Sequence, residues 1–270
     1  FQQSLKIANL FKPLFSLSPM TEKQYGGASS HAIKDITSST TKKDASPDHK
    51  TKKEKSTTKE NNIEDVDLYI KAGEIAQQVK VYAKSFIKPG MPLLEIAEKI
   101  EAKIVELGGQ PAFPVNLSKN EIAAHSTPSY NDTEKAEGLL KVDVGVHIKG
   151  CVADTALSID LDNSAENKKL IECAELCLAN ALKESIHNAE LRNIGKQIES
   201  TAHSHNFQPI INLSGHSITK YNLHAGVTIP NYDNSSTQLL EEGVYAIEPF
   251  VTLGSGKVID GKPSGIYALE

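Results

Sequence analysis

Long apolar runs and a disulfide framework are both missing from this sequence. No run approaches the roughly 18 apolar residues that a membrane-spanning helix needs, which argues against a membrane partner. The three cysteines are an odd number, and their spacing suggests no set of disulfides. Such cysteine usage favours a reducing compartment, so we expect a cytoplasmic protein.

Excess positive charge is also missing from most of the chain. Residues 1–62 carry 11 Lys and 6 acidic residues, whereas residues 63–270 carry 18 basic and 28 acidic residues. An acidic body argues against a broad nucleic-acid surface, and no specific nucleic-acid partner is expected. The Lys-rich run at 42–59 suits a solvated tail or, alternatively, a contact with ribosomal RNA or anionic lipid.

Composition also divides the chain into two parts. Residues 1–62 are rich in Lys, Ser and Thr and have few large apolar side chains. Such a segment cannot offset its ordering entropy, so this leader is predicted to be disordered. Its first residue is Phe1 rather than Met, which indicates a fragment or a processed product. Residues 63–270 are predicted to form one folded domain.

Two similar helix–helix–strand units flank a central hairpin in that domain. Helical spacing of apolar residues predicts four helices, at about 64–88, 93–107, 165–187 and 190–205. The segment LLEIAEKIE at 93–101 matches LRNIGKQIE at 191–199. Downstream of each, the strand-like FPVNLS at 113–118 corresponds to FQPIINLS at 207–214. The repetition predicts an internally duplicated α+β domain.

The central hairpin is the stretch LLKVDVGVHIKGCVADTAL at 139–157. Alternating apolar residues predict two strands joined by a tight turn at residues 149–150. In that register Gly145 lies opposite Asp154, and Asp143 is the diagonal neighbour of Asp154, about 7 Å away on the same face. Carboxylates this close repel each other unless a positive charge lies between them. Two exposed strand aspartates are the alternative interpretation.

Imidazole and carboxylate groups occur in four segments of the sequence. They are His125 after NEIAA, Asp143 and Asp154 in the hairpin, His216 and His224 eight residues apart, and Glu248 within AIEPF. Such a mixture suits Mn, Fe, Co or Zn better than a thiolate-bound structural zinc. Glu248 has apolar neighbours, and an ionised Glu there needs a partner, which a metal supplies.

Five motifs together resemble one enzyme family. NEIAAHSTP, VDVGVH, ADTA, NLSGHSITKYNLHAG and AIEPF, in this order, are similar to methionine aminopeptidases, specifically the archaeal type that is closest to the eukaryotic type 2 enzyme. The resemblance covers residues 64–270. It implies the pita-bread fold of these metallopeptidases, a pseudo-two-fold repeat of helix–helix–strand units around a curved antiparallel sheet. It also implies removal of the N-terminal methionine from nascent proteins and peptides.

The resemblance also implies roles for particular residues. The ligands of a two-metal centre would be Asp143, Asp154, His216 and Glu248. The residues that contact substrate and the scissile amide would be His125 and His224, although loop histidines satisfied by backbone remain the alternative. The pocket for the methionine side chain would be lined by Phe113 and Leu223. Four further histidines match no motif and are predicted to lie on the surface, namely His147, His187, His203 and His205.

The chemistry and the partners follow from the same resemblance. Two divalent metal ions, Co, Mn, Fe or Zn, would lower the pKa of a shared water, and the hydroxide would attack the carbonyl of the first residue. His125 would hydrogen-bond the scissile amide, while Glu248, or a carboxylate not present in this sequence, would accept the proton from water. We expect a monomer that acts on nascent polypeptide N-termini, with the ribosome as a candidate partner.

The sequence departs from the family pattern at its end. The family has a fifth ligand, a Glu on a late strand, and type 2 members carry a helical insertion before it. This sequence ends at Glu270, after a strand predicted at 258–269 and before both features. The pita-bread domain is therefore predicted to be C-terminally incomplete, and residues 1–270 alone to be inactive.

Two other functions compete with this one. The first is a non-catalytic pita-bread homologue that binds ribosomes or RNA and has lost metal ligands. All four ligand positions that this chain reaches are filled, which favours an enzyme. The second is an X-Pro peptidase, but the segments AAHSTP and YNLHAG fit methionine aminopeptidases better.

Overall fold

The computed structural model describes residues 65–261, which contain four helices and nine strands. The predicted disordered leader at 1–62, the end of the strand predicted at 258–269, and Glu270 lie outside the described residues. The described beginning of that predicted strand, residues 258–261, has no regular secondary structure. Among the described helices, none combines the length and the apolar character that crossing a membrane requires.

The first unit begins with two helices that occupy the predicted positions. Helix α1 spans Val66–Phe86 and α2 spans Leu93–Glu106. Helix α2 ends where Gly108 adopts a left-handed φ of 87°, a common way to terminate a helix. The apolar face of α1 is buried as its spacing predicts, and it consists of Tyr69, Ala72, Ile75, Ala76, Val79 and Ala83. Both helices share one core with the valines of the central hairpin.

The central hairpin has the predicted register. Strand β3 spans Leu139–Ile148 and β4 spans Cys151–Asp160, with Gly145 paired to Asp154. Residues 149 and 150 both have positive φ, the conformation of the tight turn that suits the twist of two paired strands. The hairpin therefore presents one valine face to the helices and carries the two aspartates on its other face.

Short strands complete three antiparallel sheets. Strands β1 (Gln110–Pro111) and β2 (Asn116–Lys119) pair with β3 on the edge away from β4. The second unit contains five strands, which are β5 (Gln208–Pro209), β6 (Ser214–Ile218), β7 (Thr228–Pro230), β8 (Val244–Ala246) and β9 (Val251–Thr252). Strand β5 pairs with β9, and β6 lies between β7 and β8.

The strand predicted at 207–214 is not continuous, and β8 and β9 are likewise separated. A turn at Ile211 and Asn212 separates β5 from β6, because the amide of Ile211 bonds to Gly256 rather than extending a ladder. Pro249 lies between β8 and β9 and has no N–H to donate, so it interrupts the pairing there.

The second pair of helices is α3 at Ala165–Glu184 and α4 at Leu191–Ser204. The hydroxyl of Ser164 accepts a hydrogen bond from the amide of Asn167 and caps α3. Cys173 and Cys177 are fully buried and pack as small apolar groups in the core of this unit. Burial raises the pKa of the Cys177 thiol to about 12, so the thiol stays neutral.

The two units repeat each other in register. Each has a Gln-Pro dipeptide as its first short strand: β1 pairs with β3 at His147, and β5 pairs with β9 at Thr252. Asp143 and Glu248 each lie four residues before those paired positions. The duplication therefore places two carboxylates at matching points of the two units.

Candidate metal centre

Three of the four predicted ligand residues bring their side chains to one point. They are Asp154 of β4, His216 of β6 and Glu248, which follows β8, and their ligand atoms lie within 4.8 Å of one another. Nε2 of His216 is 3.4 Å from Oδ2 of Asp154 and 3.0 Å from Oε1 of Glu248. Two strands and the segment that follows a third, from two units, thus converge on a single cluster.

Asp143, the fourth predicted ligand, lies beside this cluster. Its carboxyl group hydrogen-bonds the carboxyl group of Asp154, its diagonal neighbour on the hairpin. Burial, and then the charges of Asp154 and Glu248, raise the pKa of Asp143 to about 8. Three carboxyl groups therefore share a site in which the protein supplies too little positive charge to keep them all ionised.

The pKa shifts of His216 and Glu248 also reflect carboxyl groups that share little positive charge. Burial lowers the pKa of His216, but the carboxylates of Asp154 and Glu248 outweigh burial and raise the pKa to about 10. Burial also raises the pKa of Glu248, against the opposing effect of His216. Oε1 of Glu248 is buried and, despite its closeness to His216, makes no hydrogen bond of suitable geometry.

This set of donors fits a divalent metal ion. It contains three carboxylates, one imidazole and no thiolate, the combination that Mn, Fe, Co and catalytic Zn sites use. A bound cation would take the unpaired Oε1 of Glu248 and would favour the ionised form of Asp143. Both the shortage of positive charge and the types of donor atom therefore favour a divalent metal ion.

A cavity of about 300 Å³ opens beside the cluster. Its wall includes His125, His216, His224, Glu248 and Phe250. His125 is exposed and has a left-handed φ of 60°, an unusual conformation for a residue other than Gly or Asn. The ring of His224 stands edge-on to that of His216, with ring centroids 4.3 Å apart. Burial and then the charge of His216 lower the pKa of His224.

The two predicted pocket residues do not line this cavity. Phe113 instead packs its ring against Gly145, directly across the hairpin from Asp154. Leu223 packs against a small apolar cluster that contains Cys151. The structure thus places Phe113 on the carboxylate face of the hairpin, and Leu223 one residue before His224.

Sequence reasoning missed one neighbour of the cluster. Asn116 of β2 pairs with Asp143, is almost completely buried, and leaves its Oδ1 without a hydrogen-bond partner. Its Nδ2 donates to the carbonyl oxygen of Pro114 at 2.7 Å. The pairing of β2 with β3 was the signal that would have found it, because residues paired across two strands share a face.

His147, one of the four histidines predicted to lie on the surface, makes a structural contact in the hairpin turn. Nδ1 of His147 accepts a hydrogen bond from the amide of Gly150 at 3.2 Å, and its ring lies near that of Tyr221. The amide of Tyr221 in turn donates to the carbonyl of Gly150 at 2.9 Å. These contacts therefore join the hairpin turn at residues 149–150 to the second turn, at Tyr221, which precedes Leu223 and His224. The other three, His187, His203 and His205, are exposed as predicted.

Comparisons with known proteins agree on the family. The sequence profile of metallopeptidase family M24 matches residues 67–268. Methionine aminopeptidase of Pyrococcus horikoshii is 50% identical over 207 residues, 75% of this chain and 70% of that protein. That of Thermococcus onnurineus is 50% identical over 209 residues, 76% of this chain and 70% of that protein. The crystal structure of methionine aminopeptidase from Thermotoga maritima superposes with a TM-score of 0.67 at 25% identity, over 74% of this chain and 86% of that one.

More distant structures share the fold alone. A prolidase from Pyrococcus horikoshii gives a TM-score of 0.58 at 20% identity, covering 68% of this chain and 53% of its own. A thermophilic Arx1 gives a TM-score of 0.59 at 16% identity, covering 77% of this chain and 71% of its own. The profile match and the sequence relatives decide the family: the chain belongs to metallopeptidase family M24 and has its pita-bread fold.

Proposed function

We propose that this chain is a metal-dependent aminopeptidase that removes the N-terminal methionine from polypeptides. The observation that carries the proposal is the convergence of Asp154, His216 and Glu248 beside a cavity. The sequence relatives, which are methionine aminopeptidases at up to 50% identity, support the choice of substrate. Nascent polypeptide N-termini would be the main partners, met at the ribosome.

Four residues would hold two divalent metal ions, namely Asp143, Asp154, His216 and Glu248. Co, Mn, Fe and Zn all suit this set of donors. When bound at such a site, these ions supply Lewis-acid polarisation of a carbonyl group and activation of water. Two ions need shared carboxylates, and the aspartates come from adjacent strands in a fixed register, which suits such sharing.

The proton transfers would be carried out by the chain's own residues. Glu248 would accept a proton at the carboxylate oxygen that does not hold a metal ion, and burial raises the pKa of its carboxyl group and so favours the protonated form. His125 would donate a hydrogen bond to the scissile amide and help to protonate the leaving nitrogen. The lowered pKa of His224 keeps its ring neutral at pH 7, with one N–H to donate to substrate.

The size of the cavity is consistent with recognition of a single residue. Its volume of about 300 Å³ lies at the lower end of the range for small-molecule sites. It suits the first residue of a polypeptide better than a longer segment. Apolar wall residues such as Phe250 and Val227 would exclude water from the reacting groups.

The proposal is tested with the purified full-length protein, because residues 1–270 alone are predicted to be inactive. The substrates are a Met-Ala-Ser peptide and its N-acetylated form. Loaded in turn with Co, Mn, Fe or Zn, the protein should release free methionine from the first peptide and none from the second. His216→Ala should lose bound metal and activity, whereas His187→Ala, a change at an exposed histidine, should keep both. Equal metal content and activity in the two variants would contradict the proposal.

A further inference from the structure

Tyr221 has a backbone conformation that an aromatic residue seldom adopts. Its φ is 59°, in the left-handed region, where a bulky side chain is strained. Such strain persists only where surrounding contacts hold the residue, and it clusters at functional sites. Tyr221 lies three residues before His224, one of the two histidines proposed to contact substrate. The contacts that hold Tyr221 therefore bear on the position of His224.

Those contacts come from the turn of the central hairpin. The amide of Tyr221 donates to the carbonyl oxygen of Gly150 at 2.9 Å. The ring of Tyr221 lies over Gly150, because a Cβ atom added there would be 2.6 Å from Cδ2 and from Cε2 of the ring. Carbon atoms that are not bonded come no closer than about 3.5 Å without repulsion, so only a glycine leaves room for the ring. The hairpin turn and the aromatic ring thus fit each other.

Other bonds close the turn around Tyr221. The amides of Thr219 and Asn222 each donate to the other residue's carbonyl oxygen, at 3.0 and 2.9 Å. Nζ of Lys220 lies 2.5 Å from Oδ2 of Asp65, the residue before α1. Both side chains of this ion pair are partly exposed, and such a pair contributes little stability by itself. The amide bond and the ring contact with Gly150 are therefore the main anchor.

The residues after Tyr221 carry this anchor to the cavity. Leu223 packs against a cluster that contains Cys151 and Val152 of β4, the strand that also carries Asp154. His224 follows directly and lines the cavity, with its ring edge-on to that of His216. The hairpin that supplies the two proposed aspartate ligands therefore also supports the segment that carries His224.

We propose that Tyr221 is a positioning residue for the reaction, because its contact with the hairpin turn fixes His224 at the distance from the carboxylates that substrate requires. The inference rests on the proposed function and deepens it. Tyr221 is 74% exposed and is not among the residues that line the cavity, so it acts through His224. A misplacement of about 1 Å in such a group can lower a rate about 100-fold.

Three variants of the metal-loaded full-length protein test this with a Met-Ala-Ser peptide. Tyr221→Asn removes the ring but suits the left-handed conformation, whereas Tyr221→Phe keeps the ring. Tyr221→Asn should lower kcat about 10–100-fold and change KM less than about threefold, with unchanged metal content. Tyr221→Phe and the control Tyr130→Asn, at a tyrosine that is 90% exposed, should stay within about twofold of the unmodified protein. If Tyr221→Asn folds poorly, Tyr221→Gly, which relieves the strain, should show the same loss of kcat.

A double-mutant cycle separates positioning from a merely structural role. In a His224→Ala background there is no imidazole to position, so Tyr221→Asn should lower kcat by less than about a further twofold. General damage to the fold would instead lower kcat by the same factor with and without His224.

A second readout needs neither metal nor activity. The ring of His224 lies beside that of His216, so its NMR signals in histidine-labelled protein should report the ring current of that neighbour. The signals that are missing from His224→Ala identify it. Tyr221→Asn should shift those signals, whereas Tyr221→Phe and Tyr130→Asn should leave them in place.

Two kinds of failure are distinguishable. An active protein in which Tyr221→Asn keeps its kcat, or loses it equally with and without His224, overturns this inference alone, and so do unmoved His224 signals. A protein that releases no methionine with any of the four metals overturns the proposed function. The catalytic consequence of Tyr221 then falls with it, while the NMR comparison still decides whether Tyr221 fixes the position of His224.

Discussion

The two units of the molecule share a plan but differ in how they hold their functional groups. The first unit places Asp143 and Asp154 on two strands of ten residues each, paired along their whole length. The second unit places His216 on a strand of five residues and Glu248 outside any strand. The same duplicated architecture thus provides a pair of carboxylates on a long hairpin in one unit and two individually supported side chains, the proposed ligands His216 and Glu248, in the other.

Side-chain hydrogen bonds supplement the short ladders of the second unit, in which β6 pairs over three residues each with β7 and β8. Oγ of Ser217 accepts from the amide of Val227 at 3.0 Å, next to His216. Nδ2 of the buried Asn231 lies 3.0 Å from the carbonyl oxygen of Leu213 and 3.4 Å from that of Ile210. A strand with three paired positions on each side gains relatively more from such polar contacts than the hairpin does, which has ten paired positions. The comparison teaches that the second unit is the more vulnerable support of the site.

The largest expected effect comes from removing the two carboxylates at matching positions. Asp143→Ala and Glu248→Ala should each lower metal content and reduce methionine release at least about 1,000-fold, because the proposed pair of metal ions would need carboxylates from both units. Metal analysis and peptide hydrolysis measure the two effects. A variant of either residue that keeps its metal and activity would show that the two positions match in the fold but not in function.

A smaller loss is expected from a residue that acts on substrate rather than on metal. His125→Ala should keep its metal and lose kcat by about 10²–10⁴-fold, the range for a positioned proton donor. Steady-state kinetics with metal analysis separates this outcome from ligand loss. Reduced metal content, or nearly normal kcat, would contradict the role given to His125.

The site where the units meet should make the metal-free protein sensitive to pH. The folded-state pKa of Asp143 is raised from 3.8 to about 8, and that of His216 from 6.5 to about 10. A group with a raised pKa stabilises the fold below its unfolded pKa, and that stability is lost as pH rises through the folded value. The melting temperature in EDTA should therefore fall by several degrees between pH 6 and pH 9.

Metal provides the control for this pH effect. A bound cation replaces the protons, so the metal-loaded chain should show a smaller fall in melting temperature over the same pH range. A melting temperature in EDTA that rises between pH 6 and pH 9 would contradict the raised pKa values.

How much the sequence could predict differs between the same two units. The register of the hairpin follows from local information, since the period of two and the turn at residues 149–150 fix every pair. The interruption between β8 and β9 at Pro249 depends on which distant residue accepts the hydrogen bond of each backbone amide. The pattern of apolar residues does not specify those partners. Residue types predicted a metal site, but the grouping of His216 with Asp154 rested on family resemblance. Neither residue types nor family resemblance predicted that Phe113 packs on Gly145. That packing depends on a bulge in the edge strand between β1 and β2 and on one side-chain contact.

The smallest expected effect tests whether the second unit really depends on a few polar contacts. Asn231→Ala removes the donor that Leu213 and Ile210 share and leaves their carbonyl oxygens without it, which should destabilise the chain by about 1–3 kcal/mol. Asn234→Ala, at an exposed position three residues away, is the matched control and should change stability by less than about 0.5 kcal/mol. Chemical denaturation measures both.

The same substitution should also affect metal binding. Because Leu213 lines the cavity and leads into the strand of His216, Asn231→Ala should weaken metal binding, whereas the control should not. Equal stability and metal affinity in the two variants would mean that ladder pairing and packing suffice to hold the short strands, and that the two units are supported in the same way.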